Sequence, residues 1–287
     1  MMCGRCRASY SPASARAAAL LVVGAERGGA ADVRWRGEGA FVPKRNLAPG
    51  MAMPVVRRGE PGDGEEGGML HTMTWGLVPR TTKATEKPDF WRAFNCRSET
   101  AREKPMFKRL RRCVALIDGF YEWKGRDAAE AHGPAPPPKK QPHLVHRENA
   151  VMFVAGLYDA WTPASADEPL YTVTLLTTEP DEGLRWLHDR QPVILDAAGA
   201  KRWLGLAGDD VDWAELTRGR LLAGVKWHAV DPAIGKLSHN AEGCDAQWSP
   251  PRQGRDIRSF FGTPKPKREA DGGGGGGGGV AAKRART

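Results

Sequence analysis

"RRCVALIDGFYEWKG", residues 111–125, carries the reading of the fold. Its apolar and aromatic run, bounded by charged residues and a glycine, has the composition of a β-strand. Three more runs read alike: "HTMTWGLV" (71–78), "AVMFVAGLYDAW" (150–161) and "LYTVTLLTT" (170–178). Helical patterns are fewer: "SARAAALLVVGA" (14–25), "DEGLRWLHDR" (181–190) and "AGAKRWLGLA" (198–207). Strands dominate without regular strand–helix–strand alternation, which predicts an α+β domain around a twisted, mainly antiparallel sheet with flanking helices.

Between these runs lie two polar insertions. "RRGEPGDGEEGGML" (57–70) is rich in glycine and acid and predicts a surface loop joining two strands. "GRDAAEAHGPAPPPKKQP" (125–142) contains Pro136, Pro137 and Pro138 and predicts an extended segment. Beyond Pro250 the composition changes, and the unbroken glycines 272–279 cannot pack a core. The expected organisation is one domain over residues 1–250 and a disordered basic tail over 251–287.

The 287 residues suffice for a sizeable core, and 40% hydrophobic content with ten tryptophans is that of a globular chain. No run approaches the roughly 20 apolar residues of a membrane helix, so no membrane is expected as a partner. Five cysteines without repeating spacing do not make a secreted disulfide framework, and a reducing compartment is expected. Of the net charge of +9, the tail from Pro251 carries nine Lys/Arg against three acids, a net +6, leaving +3 for the rest. Nucleic-acid binding by the globular part would therefore need a local basic groove.

Several stretches hold chemically capable residues, and each also has an ordinary structural reading. Cys3 is either a small buried thiol or, once its α-amine is free, a nucleophile for aldehydes. An α-amine, with a pKa of about 7.7–8.0 against about 10.4 for lysine, is far more often unprotonated at neutral pH. A neighbouring thiol can then close a five-membered thiazolidine on the imine. Cys3 with Cys6 also forms C-x-x-C, but no second such pair accompanies it, which argues against zinc or redox use. In "AFNCRSETAREKPMF" (93–107), Asn95 can orient a polar substrate atom and Arg97 suits a phosphate, or else Ser98 simply caps a helix. Glu122, between Tyr121 and Trp123, is either a carboxylate whose aromatic surroundings raise its pKa or an exposed strand residue. His188 in "WLHDRQPVIL" is a proton shuttle or a structural histidine. Asn46, Pro49, Trp75 and Pro79 offer surfaces that can stack on unpaired bases, though tryptophan is more often core.

Taken in order, C-G-R at the terminus, N-L-A-P-G, W-G-L-V-P, N-C-R-S-E-T, D-G-F-Y-E-W, A-G-L-Y and H-D-R-Q-P-V closely resemble the SOS response-associated peptidase (SRAP) family, whose eukaryotic members are called abasic site processing proteins. The resemblance runs from Cys3 to about Trp248. It implies a mixed α+β domain with a barrel-like antiparallel sheet, no metal and no cofactor. It also implies a DNA-damage function: binding single-stranded DNA and shielding abasic sites through a covalent crosslink to Cys3. Carried over, Cys3 is the nucleophile, Asn95 holds cysteine or sugar, Glu122 is the acid/base and His188 assists proton transfer. Arg5 and Arg97 neutralise phosphates, while Trp75 and the Asn46–Pro49 loop hold the strand. Other readings are an autoproteolytic or cysteine peptidase, and a non-covalent reader of modified cytosine.

This chain departs from the family at three places. Met1 and Met2 both precede Cys3, so initiation at Met2 or self-processing of the leader is expected to free its amine. "TTEPDEG" lacks the usual Ala-Asn, and His239 is an addition. In the tail, "RDIRSFFGTPKPKR" resembles a box that binds the PCNA sliding clamp, with Ile257, Phe260 and Phe261 as plugs and Gly254 where a glutamine is expected. Basic clusters 265–268 and 283–286 resemble nuclear localisation signals. A monomer acting in the nucleus at replication forks is expected.

Overall fold

The structure, a computed structural model, describes residues 4–24, 32–60, 63, 67–125, 140–208 and 210–249. The chain divides into a compact unit, Met1–Pro250, and a segment, Pro251–Thr287, outside the described residues. The strands are β1 (Cys6–Ala8), β2 (Trp35–Arg36), β3 (Lys44–Leu47), β4 (Ala52–Arg58), β5 (Gly68–Trp75), β6 (Asn95–Arg97) and β7 (Arg111–Ile117). They continue with β8 (Gly119–Gly125), β9 (Lys140–Arg147), β10 (Met152–Trp161), β11 (Leu170–Thr178), β12 (Gln191–Pro192), β13 (Ile194–Leu195) and β14 (Val225–Ala229). The α-helices are α1 (Pro12–Val23), α2 (Ser98–Ala101), α3 (Ala197–Trp203) and α4 (Trp213–Leu216).

Five strands close a barrel in the order β5-β4-β7-β10-β11, with β11 returning to β5. Strands that alternate in direction cannot close an odd-membered ring without one like-directed pair. That pair is β11–β5, parallel through Thr172↔Thr74 and Val173↔Trp75. Gly76 ends β5 at this closure. Its φ is +108°, and a Cβ there would stand 2.2 Å from the Phe90 carbonyl oxygen, so only glycine fits. The helix α1 packs on the outside through Ala15, Ala18, Ala19 and Val22, with Ser11 capping its first turn and Gly24 ending it.

A second sheet, β14-β9-β8-β1-β3, lies against the barrel. Its register places Cys6, Phe120 and Val145 on one face, where they join the main core. Tyr121 and Leu144 face the other way and pack with Val230, Ile234 and Cys244. Arg7 and Arg45 fasten the C-terminal end of the domain to this sheet through Asp245. The predicted barrel-like, mainly antiparallel α+β architecture is the one observed.

Three local expectations are corrected. The run 112–123 is two strands in different sheets, because the chain turns at Asp118, whose carboxylate accepts from the Ser9 hydroxyl (2.7 Å) and pairs with Arg7. Just after the turn, a Cβ on Gly119 would stand 2.7 Å from a Leu144 methyl and 3.2 Å from the Val145 carbonyl oxygen, so glycine there lets β8 and β9 lie close. Residues 181–190 form only a 3-10 turn at Glu182–Leu184, and Arg190 is drawn instead to Glu99 and to the Thr177 carbonyl. Ser98 is not a cap: Arg97 occupies that position and makes no side-chain capping bond. The acid-rich stretch does join two strands, β4 and β5, as expected, and it is anchored at Asp63. Buried Arg57 donates both terminal nitrogens to Asp63 (2.7 and 3.1 Å) and its Nε–H to His71 Nδ1 (3.0 Å). The Pro-rich stretch 126–139 lies outside the described residues.

Candidate active site

On the face of the second sheet that is buried at Phe120 and Val145, the next pair is Glu122 on β8 opposite His143 on β9. Glu122 is therefore an inward-facing position on β8. At 3% exposure it is withdrawn from water, contrary to the exposed-strand reading, and its Oε1 accepts the Trp123 amide (3.2 Å). His188 Nε2 lies 3.9 Å from the same oxygen. The other ring nitrogen, Nδ1, is 2.7 Å from Asp189 Oδ1 and 3.1 Å from the Arg190 amide nitrogen. With a proton Nδ1 serves Asp189, without one it accepts from Arg190, and in both cases Nε2 is left facing Glu122. Burial lowers the pKa of His188, opposed by the exposed Asp189, which favours the neutral, proton-accepting imidazole.

Asn95 begins β6, held in parallel register beside Leu175 of β11. Both polar atoms of its side chain are shielded from solvent, and neither has a hydrogen-bond partner among the described residues. It lines a cleft of ≈ 370 Å³ with Trp91, Phe94, Arg97, Asp189 and Arg190, among others. Arg97 is exposed at the rim. Arg190 makes a two-pronged contact with Glu99 (2.7 and 2.8 Å), which ties α2 to the turn that carries His188.

The N-terminal strand enters beside this cleft. A Cβ on Gly4 would stand 3.1–3.2 Å from Trp91, Phe94 and Pro49, so the backbone there threads a slot made for glycine. Cys3, one residue earlier, lies outside the described residues. Arg5 is half-buried, bonded to the Gly4 and Gly235 carbonyls, with its guanidinium 5.5 Å from the Trp91 ring centre.

Three site expectations do not fit these positions. Trp75 is 1% exposed and its indole N–H donates to the Phe94 carbonyl (2.9 Å), so it has no face for a base. Asn46 is buried and donates to the Ile234 and Lys236 carbonyls (2.9 and 3.0 Å), pinning the 234–240 segment. Pro49 is buried as a wall of the Gly4 slot. All three shape the site from behind. Reading the residues missed Trp91, His143 and Arg190. Only Arg190, inside H-D-R-Q-P-V, carried a signal. Ile257, Phe260 and Phe261 lie outside the described residues. No group of three or more His, Cys, Asp or Glu converges as a metal site among the described residues.

The family model described as SOS response associated peptidase (SRAP) matches residues 2–237. The chain belongs to the SRAP family. Among curated proteins it is similar to the abasic site processing protein HMCES of Gallus gallus, 32% identical over 262 residues, 85% of this chain and 77% of that one. It is also similar to the abasic site processing protein YoqW of Bacillus subtilis (strain 168), 34% identical over 182 residues, 62% of this chain and 74% of that one. A crystal structure of a protein from Bacteroides thetaiotaomicron superposes with a TM-score of 0.64 at 18% identity, over 86% of this chain and all of that one, and so shares the SRAP fold.

Proposed function

We propose that this SRAP protein processes abasic sites in DNA by binding the single strand and joining Cys3 to the abasic sugar as a thiazolidine, which shields the lesion. The observation that carries the reading is buried Glu122 with His188 Nε2 3.9 Å away, next to a cleft lined by Asp189 and by Asn95, whose amide has no partner among the described residues. The names of the curated relatives support the substrate class.

A ring-opened abasic sugar presents an aldehyde at C1′. The free α-amine of Cys3 adds to this carbon, and the resulting hydroxyl leaves as water once Glu122 or His188 supplies a proton, giving an imine. The Cys3 sulfur then bonds to the same carbon while the thiol proton passes to nitrogen. One water is lost overall and the ring is closed, so the adduct resists the hydrolysis that would reverse a lysine imine. The chemistry requires Cys3 to be the first residue of the working protein. Asn95 would offer both a donor and an acceptor to the sugar, and Arg5 and Arg97 would neutralise the flanking phosphates.

The test incubates the protein with single-stranded DNA carrying one abasic site and resolves adducts under denaturing conditions. Wild type is expected to shift the DNA, whereas Cys3→Ala and intact DNA give none. Release of fragments from an unrelated peptide, lost in Glu122→Gln, would instead mark a peptidase. Binding without any adduct would mark a reader. The tail pattern of Ile257, Phe260 and Phe261 supports a sliding-clamp contact, and its basic clusters support a nuclear site of action at replication forks. Loss of clamp capture in Phe260→Ala/Phe261→Ala is the expected check.

A further inference from the structure

Three of the large apolar side chains exposed among the described residues are tryptophans: Trp91, Trp186 and Trp227. The last two meet although they come from different elements. Trp186 sits in the turn that delivers His188, and Trp227 on β14, the edge strand of the second sheet. Their ring centres are 6.0 Å apart at 44°, and Trp186 stands edge-on to His143 at 5.0 Å. The register fixes where this cluster lies. Trp227 is opposite Val145, and His143 is opposite Glu122, so all four occupy one face. The indoles thus continue outward from the reactive carboxylate.

Folding alone does not account for them. The rings are 38% and 41% exposed, and an exposed pair of this size is the less common fate of tryptophan. The Trp186 N–H already donates to the Gly183 carbonyl (2.9 Å), so what the ring offers to solvent is its π surface. Cations stand close by: Lys124 and Lys140 lie near enough to His143 and His188 to disfavour their charged forms. A flat apolar surface next to positive charge is complementary to a base on its phosphate strand.

We propose that Trp186 and Trp227, with His143 at the inner end, form a shelf that stacks one unpaired base neighbouring the abasic nucleotide. The inference rests on the reading that abasic single-stranded DNA is the substrate. Stacking of this kind is indifferent to base identity, because every base has a π face, but it requires the base to be unpaired. The shelf therefore makes Trp186 and Trp227 positioning residues that fix the approach of the strand to Glu122 and His188 and favour single-stranded DNA on that side.

The experiment is a cycle between protein and DNA. Crosslinking rates are measured at subsaturating protein with an oligonucleotide carrying one abasic site. A companion set replaces one neighbour at a time, on either side, by a tetrahydrofuran residue that has neither base nor aldehyde. Wild type is expected to slow roughly fivefold or more when the base at one position is removed. Trp186→Leu/Trp227→Thr is expected to be slower by a similar factor on the complete oligonucleotide and indifferent to that removal. Equal rates for variant and wild type, or equal sensitivity to base removal, overturn the shelf. If the double variant melts early, Trp227→Thr alone carries the test, since threonine suits an edge strand. If wild type forms no adduct, the underlying reading fails. The shelf is then judged by whether intact single-stranded DNA quenches wild-type indole fluorescence more than that of the variant, with equal quenching counting against it.

Discussion

Asn95 holds a carboxamide that is shielded from water and, among the described residues, bonded to nothing. A buried polar group without a partner destabilises a fold, so its retention points to a ligand that supplies the bonds. Asn95→Ala is accordingly expected to leave thermal stability unchanged or slightly raised while slowing adduct formation at least tenfold. Paired melting and single-turnover assays separate the two effects. Glu122→Gln keeps the shape of the site but removes the transferable proton, and is expected to slow adduct formation by on the order of 10²-fold, read from the same assay. In the sequence, motif order is what singles these two residues out. Trp75 and Asn46 were misread because neither the burial of an indole nor the carbonyls a distant segment brings to an amide can be seen in sequence. Trp75→Ala should act through folding, costing about 3–5 kcal/mol in denaturant titrations.

The β4–β5 hairpin shows how an element can set pH dependence. Burial, helped by the Arg57 guanidinium, lowers the pKa of His71 to about 3, and its Nδ1 accepts the Arg57 Nε–H. The folded state thus takes up this proton only near pH 3, whereas the unfolded chain takes it up near the usual value of about 6.5. His71 therefore contributes stability that is present above pH 6.5 and lost as the pH falls towards 3. Between pH 6.5 and 5 the loss is about 2 kcal/mol. Urea titrations at the two pH values should show it, and His71→Asn should shrink the difference. Asp63, lowered to about 2 mainly by its bond from Arg57, extends the acid sensitivity downward. At the barrel closure, Gly76→Ala would force a Cβ into the Phe90 carbonyl and is expected to cost more than about 2 kcal/mol in the same titration. Strand β11 was read from sequence with its observed bounds, since alternation and β-branching agree there. The division of 111–125 between two sheets was not, because the turn depends on Asp118 reaching Ser9 and Arg7 more than a hundred residues away.

At the scale of the molecule, a five-stranded barrel and a second sheet share one core, and the proposed site draws on both. This explains how Glu122 can be both on a strand and inside the protein. On the proposed reading, residues far apart in sequence, Gly4, Asn95, Glu122 and His188, serve one site without a dedicated active-site domain. The central claim concerns what that site does to DNA. Its most direct test is the intact mass, followed by peptide mapping, of the protein after incubation with single-stranded DNA bearing one abasic site. The account expects a heat-stable adduct equal to protein plus DNA minus one water, mapped to Cys3 as the first residue and absent in Cys3→Ala. An adduct on a lysine, or one that persists in Cys3→Ala, would contradict it.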